Sequence, residues 1–224
     1  MNASKSGVVW PAHLPRWTHP VFRAIWPGTM WATGASQEVH LTFDDGPHPD
    51  ITPWVLTCLE ERQMTATFFV IGRHAQTHEA LLQRMREAGH AIGGHTMNHE
   101  HGWRTDTACY LDSARASVEA TGSNDGLFRP PHGKLRRAQA VRLRSHAQVV
   151  MWDVLSGDYA AKGDEGALRV LRRLKRHTRP GSIVVLHDSL KCEAVLRAAL
   201  PQYLDWIQSQ GWTSVRLERH TPEQ

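Results

Sequence analysis

The spacing of apolar residues switches repeatedly between strand and helix periodicity after about residue 37. Short apolar runs typical of strands precede stretches in which apolar residues recur at helical spacing. The runs predict seven strands, at 38–43, 66–71, 91–92, 127–129, 148–154, 182–186 and 212–217. The periodic stretches predict helices at 53–61, 79–88, 105–120, 134–143, 165–177 and 193–210, the last kinked or broken at Pro201. This alternation predicts a parallel α/β fold.

Polar residues follow nearly every predicted strand at its carboxyl end. An open doubly wound sheet and a closed barrel give similar patterns, but barrel enzymes gather their active-site residues at this rim. We therefore favour a barrel of about seven parallel strands. The polar residues at the rim are Asp44, Asp45, His95, Arg129, Asp158 and His187.

The pattern divides the chain into three parts. Residues 1–37 form an arm rich in Trp and Pro, residues 38–218 carry the regular α/β pattern, and residues 219–224 are a short tail. We expect the arm to be irregular and to pack on the domain, with contact to a membrane surface as the alternative. The tryptophans of the arm are Trp10, Trp17, Trp26 and Trp31.

Composition agrees with one globular domain. The chain has 224 residues, of which 41% are hydrophobic and 21% are charged. Its net charge of +4 comes mainly from arginines within 136–144 and 169–179, which we interpret as solvated helix faces. Attraction to an anionic glycan or membrane is the alternative. No nucleic-acid-binding motif accompanies the charge, so we expect no nucleic-acid partner.

Two adjacent aspartates are the most informative feature of the sequence. Asp44 and Asp45 follow the apolar run 38–43, and Gly46 and Pro47 end the strand directly after them. Neighbouring carboxylates repel each other, and a divalent cation beside one of them would offset that repulsion. From the residues alone, the two aspartates either share one role or divide two.

A pair of histidines supplies further candidate metal ligands. His95 and His99 follow the strand at 91–92 and two glycines. If this stretch opens a helix, both imidazoles lie on one face and can bind one metal ion. The pair is a weak signal alone and a stronger one beside an Asp-Asp strand end. One Asp with two His would leave positions open, as in catalytic metal sites.

Later strands end in further candidate residues. Arg129, at the start of Arg-Pro-Pro-His-Gly, either belongs to a plain strand-to-helix turn or holds a carboxylate bidentately. His187, after the apolar run 182–186, is either a buried satisfied histidine or a general acid. An acidic residue after 148–154, such as Asp158, could hold His187 in its charged form.

Together these motifs resemble those of the polysaccharide deacetylases, carbohydrate esterases with the Nod-factor deacetylase homology domain. The resemblance covers about residues 38–218 and includes five motifs in order. They are Thr-Phe-Asp-Asp-Gly, His-x-x-x-His, Arg-x-Pro-x-Gly, an acidic motif at Asp158, and Val-x-His ending at His187. The resemblance implies a distorted (β/α) barrel with fewer strands than the eight-stranded form, which agrees with the seven predicted strands.

The resemblance implies separate roles for the two aspartates. Asp45, His95 and His99 hold a divalent metal ion, most often zinc, with cobalt, nickel and manganese as alternatives. Asp44 stays off the metal and acts as the general base, and Arg129 positions it.

The remaining family roles concern the proton donor and the substrate. Asp158 tunes His187, the general acid. A backbone N–H near His132 helps to bind the oxyanion, and Tyr159 and Val185 contribute to the substrate-binding surface.

Three positions depart from the family pattern. Leu155 stands where the family usually has an aspartate, Tyr159 where it has Trp, and His132 where it has Tyr. The first two departures change the walls of the pocket and therefore leave the substrate open. The third adds a titratable group near the oxyanion.

The leading hypothesis is metal-dependent removal of N-acetyl groups from an N-acetylglucosamine-containing glycan, such as peptidoglycan or a chitooligosaccharide. Xylan O-deacetylation and deformylation of a lipid-linked amino sugar are alternatives within the fold, and a non-catalytic glycan-binding module is an alternative from another class. The short run Val8-Val9-Trp10 ends at Pro11 and lacks the apolar core of a signal peptide. We therefore expect a cytoplasmic location, with a periplasmic or envelope-associated location as the alternative.

Overall fold

The computed structural model describes residues 11–219, which contain nine β-strands and eight α-helices. The strands are β1 Thr29–Met30, β2 Glu38–Asp44, β3 Thr67–Val70, β4 Ala91–Gly94, β5 Leu127–Phe128, β6 Gln148–Val150, β7 Val154–Leu155, β8 Ile183–His187 and β9 Thr213–Ser214. The helices are α1 His19–Ile25, α2 Ile51–Glu60, α3 Gly72–Thr77, α4 Glu79–Glu87, α5 Thr107–Ala120, α6 Arg137–Leu143, α7 Gly163–His177 and α8 Glu193–Ser209. None of these helices is long and apolar enough to cross a bilayer.

All paired strands run parallel and form one sheet in the order β1-β6-β5-β4-β3-β2-β8-β7, with β9 beside β2. β6 lies near one edge and β7 forms the other, although only residues 151–153 separate them in sequence. The sheet must therefore curl until its two edges approach each other. We call the connecting segment 151–153 the seam. The predicted parallel, distorted barrel is confirmed as a sheet curled into a half-barrel.

The strand count differs from the prediction for two physical reasons. The predicted strand 148–154 is two strands, because β6 pairs with β1 and β5 whereas β7 pairs with β8. The arm also supplies β1, which is too short to give a periodic signal. Short strands of this kind depend on their neighbours and not on their own sequence.

The side chains of β2 point alternately to the hydrophobic core and to the opposite face of the sheet. Val39, Leu41 and Phe43 are fully buried and pack in a core that includes residues of α2, α7 and α8. The intervening Thr42 and Asp44 face the other side of the sheet, because successive side chains of a strand point to opposite faces. This arrangement carries the first aspartate of the pair into the middle of the curled sheet.

The described part of the arm packs on the domain as expected, but it is more regular than expected. Residues 11–37 include a 3₁₀ turn, α1 and β1. Trp31 is fully buried, and the ring of Phe22 stacks on it with a centroid distance of 4.9 Å. Trp17 is 79% exposed, and Trp10 lies outside the described residues, as does the run Val8-Val9-Trp10. The described arm is therefore part of the folded domain and not an appendage.

Two helical predictions also need correction. A kink or two helices had been the expectation at Pro201, and the alternative of two helices is wrong, because α8 continues through the proline as one helix. Leu200, Tyr203 and Leu204 are buried on both sides of the proline and fix the helix against the domain. α3 was not predicted at all, since its sequence has few apolar residues.

Replacing Trp31 tests the structural role of the arm. We expect Trp31→Ala to lower the free energy of unfolding by about 3–5 kcal/mol, because it removes a fully buried aromatic side chain and leaves a cavity. Trp17→Ala is the matched control, and its effect should stay within about 0.5 kcal/mol because that side chain is exposed. Urea unfolding of both variants measures the difference. Equal effects would contradict the assignment of Trp31 to the core.

Candidate active site

The residues singled out from the sequence meet at one cleft at the carboxyl ends of the strands, with a volume of about 620 Å³. Two of the ten, Arg129 and Asp158, lie behind the cleft wall and are 0% and 1% exposed. The other eight line the cleft and are Asp44, Asp45, His95, His99, His132, Tyr159, Val185 and His187. The fold thus brings together all ten candidates.

Asp44 ends β2 and is held by a buried cation. Its Oδ1 accepts a hydrogen bond of 2.8 Å from Nη1 of Arg129, which also donates to the hydroxyl of Thr42. The rest of the guanidinium donates to the carbonyls of Val150 and Met151 at 3.3 and 3.0 Å. Arg129 therefore binds this carboxylate through one nitrogen. Of the two alternatives for Arg129, the structure shows contact with a carboxylate, but the contact is not bidentate because backbone carbonyls use the other donors.

Asp45 points away from its neighbour toward two imidazoles. Its backbone is left-handed, with φ of 77°, so the two adjacent carboxylates diverge. The Oδ1 atom lies 3.2 Å from Nε2 of His99 and 3.7 Å from Nε2 of His95. One ligand atom from each residue lies within 4.8 Å of the other two. The aspartate pair is thus divided between an arginine and a histidine pair.

The two histidines do not lie on a helix, contrary to the expectation from their spacing. Thr96 and His99 have φ of 59° and 60°, which no right-handed helix allows. Hydrogen bonds to neighbouring elements fix this loop: the N–H of Met97 donates to the Ser113 hydroxyl on α5, and that of Gly72 donates to the Thr96 carbonyl. A left-handed loop, and not helical periodicity, brings both rings to one carboxylate oxygen.

The donor set fits a divalent cation. Asp45 Oδ1 is buried and has no hydrogen-bond partner among the described residues, so a cation would satisfy it. Burial would raise the pKa of Asp45, but His99, His187 and His95 together lower it, so the carboxylate is ionised. Two imidazoles and one carboxylate are ligands that zinc accepts.

His95 is prepared for a role as a neutral ligand. Its Nδ1 lies 2.8 Å from the carbonyl oxygen of Arg129 and donates to it, which leaves the lone pair of Nε2 directed at Asp45. Burial lowers the pKa of His95 to about 4. The ring is therefore neutral at physiological pH, as a metal ligand must be.

His187 forms a second charged pair across the cleft. Its Nδ1 donates to Oδ1 of Asp158 at 2.8 Å, and its backbone N–H donates to Oδ2 at 2.9 Å. Burial would lower the pKa of His187, but the adjacent Asp158 carboxylate outweighs it and the pKa rises to about 9. The imidazole is thus protonated at neutral pH. Tyr159 meets it edge-on, with ring centroids 5.5 Å apart.

His132 lies in a tight turn on the opposite wall. Its φ is 59°, and the N–H groups of Gly133 and Lys134 donate back to the carbonyls of Pro130 and Pro131 at 3.0 Å. The ring lies 4.5 Å from that of His99, centroid to centroid. Burial lowers the pKa of His132 to about 4, so this departure from the family pattern adds a neutral imidazole.

Sequence reasoning missed three residues that support the site. Thr42 accepts a hydrogen bond from Arg129, and Phe69 places its ring 4.1 Å below the same guanidinium. Asp188 is fully buried, accepts a hydrogen bond from Thr52, and has a pKa raised to about 7 by burial. Only Thr42 carried a usable signal, because it precedes Asp44 by two positions on the same face of β2.

Comparison with known proteins places the chain among relatives of one family. The family model described as polysaccharide deacetylase matches residues 32–150. The peptidoglycan-N-acetylglucosamine deacetylase of Bacillus cereus is 32% identical over 183 residues, which are 79% of this chain and 84% of that protein. The chitooligosaccharide deacetylase of Bradyrhizobium is 33% identical, over 68% of this chain and 71% of that protein.

A solved structure supports the same relationship. The peptidoglycan deacetylase PdaC from Bacillus subtilis superposes with a TM-score of 0.72 at 26% identity, covering 81% of this chain and 88% of that one.

One longer relative matches only in part. The sequence match to the peptidoglycan-N-acetylglucosamine deacetylase of Listeria monocytogenes spans 38% of that protein. The family match over more than half of the sequence and the similarity to the Bacillus cereus protein establish that this chain belongs to the polysaccharide deacetylase family.

Proposed function

We propose that this chain is a metal-dependent deacetylase that removes N-acetyl groups from N-acetylglucosamine residues of a glycan of peptidoglycan or chitooligosaccharide type. One observation carries the proposal: a candidate base, a candidate metal site and a protonated histidine converge on one cleft. The names of the relatives in Bacillus cereus and Bradyrhizobium support the substrate class. A glycan-binding module has no need for a matched base and acid.

Asp45, His95 and His99 would hold the metal ion. A divalent cation such as zinc, when bound there, makes a water molecule more acidic and polarises an acyl carbonyl. The protein supplies the ionised carboxylate and the neutral, oriented imidazole described above. The Nε2 atoms of both histidines and Oδ1 of Asp45 lie close together, at 3.7 and 3.2 Å. Among the described residues, Oδ1 of Asp45 has no hydrogen-bond partner that a metal ion would have to displace.

Asp44 is the proposed general base. Its hydrogen bond with Arg129 fixes the carboxylate and holds it off the candidate metal site. One oxygen is engaged by the arginine, so the other can accept the proton of the attacking water. The buried cation also offsets the repulsion between Asp44 and Asp45.

His187 is the proposed general acid. An amide cannot expel its nitrogen as an anion, so a proton must reach that nitrogen as the C–N bond breaks. The Asp158 carboxylate keeps His187 protonated and bonds to its Nδ1, so Nε2 carries the proton to be transferred. The N–H of His132, in the opposite wall, is the proposed donor to the oxyanion.

Chelation and metal restoration test the proposal most directly. We expect a strong chelator to abolish acetate release from N-acetylated chitooligosaccharides, and zinc or cobalt to restore it. A panel that includes acetylated xylan and N-formylated sugars separates acetate from formate and N-acyl from O-acyl cleavage. Activity that is indifferent to the chelator would exclude the metal-dependent reaction. Glycan binding without any acyl release would favour the non-catalytic module.

Asp158→Asn tests the charged state of the proposed acid. A general acid with a pKa of about 9 is protonated at neutral pH, and activity is lost as pH rises through that value. Without the carboxylate, the opposing effect of burial lowers the pKa of His187. The alkaline limb of kcat/KM should therefore move toward neutral pH, and NMR titration of the His187 ring should show the same displacement. An alkaline limb that stays unchanged in Asp158→Asn would show that His187 is not the group whose titration sets it.

A further inference from the structure

The helical segment 16–25 carries an apolar stripe that faces solvent. Trp17, Val21 and Ile25 are 79%, 58% and 42% exposed. They are spaced four residues apart and so lie on one side of the segment, with Pro20 and Ala24 exposed between them. We call these three large residues the docking stripe. Contiguous exposed apolar residues of this size mark interaction surfaces.

The docking stripe cannot turn inward, because the other side of the segment is anchored. Phe22 stacks on the fully buried Trp31, and the ring of Trp26 lies tilted beside it with a centroid distance of 6.4 Å. The indole N–H of Trp26 also donates to the carbonyl of Leu135 at 2.8 Å. The segment is therefore a fixed amphipathic element with its apolar face outward.

The sequence around the docking stripe contains no acidic residue. The chain has 22 Asp and Glu residues, yet none occurs in residues 1–37 or in residues 126–152. These two stretches meet in space, because the amide of Gln148 donates to the carbonyl of Gly28 at 2.6 Å and the stem of Arg144 packs against Gly28. Both segments therefore contribute to one surface, and neither of them brings a carboxylate to it.

Exposed arginines on that surface have no anionic partner in the described part of the chain. Arg23 lies on the same short helix as the stripe, and Arg144 lies at its end. Neither forms a salt bridge with a described carboxylate. An outward apolar stripe bordered by unpaired cations is complementary to a surface that is anionic outside and apolar beneath.

We propose that this face docks on the surface of an anionic lipid bilayer, with the docking stripe at the boundary between headgroups and acyl chains. Tryptophan favours that depth because its ring is apolar and its N–H is polar. A second copy of the chain fits less well. A twofold contact places the same patch against itself, and the two segments that form it offer no carboxylate to its arginines.

The segment that carries the docking stripe adjoins one wall of the active-site cleft. The carbonyl of Leu135 accepts hydrogen bonds from the indole N–H of Trp26 and from that of Trp103 at 3.2 Å. The ammonium of Lys134, which lines the cleft, lies 4.4 Å from the Trp103 ring centroid. Docking would hold the cleft beside the bilayer surface. The proposal rests on none of the metal or proton-transfer chemistry.

Vesicle co-sedimentation of the full chain tests the proposal. We expect binding to vesicles of phosphatidylcholine mixed with phosphatidylglycerol, much weaker binding to phosphatidylcholine alone, and loss of binding at high salt. The triple variant Trp17→Ser, Val21→Ser, Ile25→Ser should bind at least about tenfold more weakly. Leu168→Ser, at a 53% exposed leucine of α7, is the matched control and should bind as the unaltered chain does.

The arginines are tested separately. Arg23→Gln and Arg144→Gln should each weaken binding to anionic vesicles about fivefold, whereas Arg84→Gln on α4 should not. Absence of binding by the unaltered chain, or equal binding by the triple variant, overturns the proposal. The proposal is also overturned if sedimentation velocity shows that the unaltered chain is a dimer and the triple variant is a monomer. That result would assign the docking stripe to self-association. Acetate release from a soluble oligosaccharide should be unchanged in the triple variant, which keeps this test independent of the proposed reaction.

Discussion

Asp44→Asn is expected to lower kcat by about 10³-fold while the metal ion remains bound, because a positioned general base typically contributes 10²- to 10⁴-fold. The variant keeps the shape of the side chain and one acceptor for Arg129, but it cannot take a proton from water. Steady-state acetate release gives kcat, and elemental analysis of the dialysed protein gives the metal content. Thermal unfolding should accompany both measurements, since Arg129 is fully buried and loses its counterion.

The adjacent residue provides the matched control. Asp45→Asn removes the same charge from the next position, yet here we expect loss of the metal ion itself, because Asp45 faces His95 and His99 and Asp44 faces Arg129. Retention of metal in Asp44→Asn with loss in Asp45→Asn would establish the division of roles. Near-normal turnover of Asp44→Asn would remove Asp44 as the base.

His187→Ala is expected to lower kcat by about 10²- to 10⁴-fold with little change in KM. The proton of His187 is needed only when the C–N bond breaks, so its loss affects the transition state and not substrate binding. Kinetics on an N-acetylated oligosaccharide measure the two constants separately.

A substrate with a better leaving group sharpens this second prediction. An aryl acetate expels a phenolate that needs no proton, so His187→Ala should slow its hydrolysis far less than that of an amide. An equal loss on both substrates would contradict the acid role and assign His187 to structure. A rise in KM with unchanged kcat would point to substrate binding instead.

Periodicity in the sequence predicted the long elements of the fold well. The apolar pattern persists over several residues in strands such as β2 and β8, and over several turns in helices such as α5 and α7. β1 could not be found this way, because two residues carry no period. The division of 148–154 into β6 and β7 was also invisible, since that run is apolar throughout and only pairing across the curled sheet interrupts it.

The sequence predicted which residues form the candidate site better than it predicted how they are arranged. The motifs supplied the residues that face the cleft, since strand ends collect at one rim. Spacing suggested a helix for His95 and His99, but the contacts of Ser113 and Gly72 impose a left-handed loop. The single-nitrogen grip of Arg129 depends on carbonyl groups that lie distant in sequence, which no local pattern encodes.

The position of Arg129 at the seam links the shape of the sheet to the position of Asp44, the proposed base. Its guanidinium bonds to Asp44 and at the same time to the carbonyls of Val150 and Met151, where β6 gives way to the seam. Any local opening of residues 151–153 would therefore release the arginine from its carbonyls and loosen its hold on the carboxylate. On warming, hydrogen exchange at the seam amides and loss of acetate release should consequently share one midpoint. The edges of the half-barrel and Asp44, the proposed base, would then behave as a single cooperative unit.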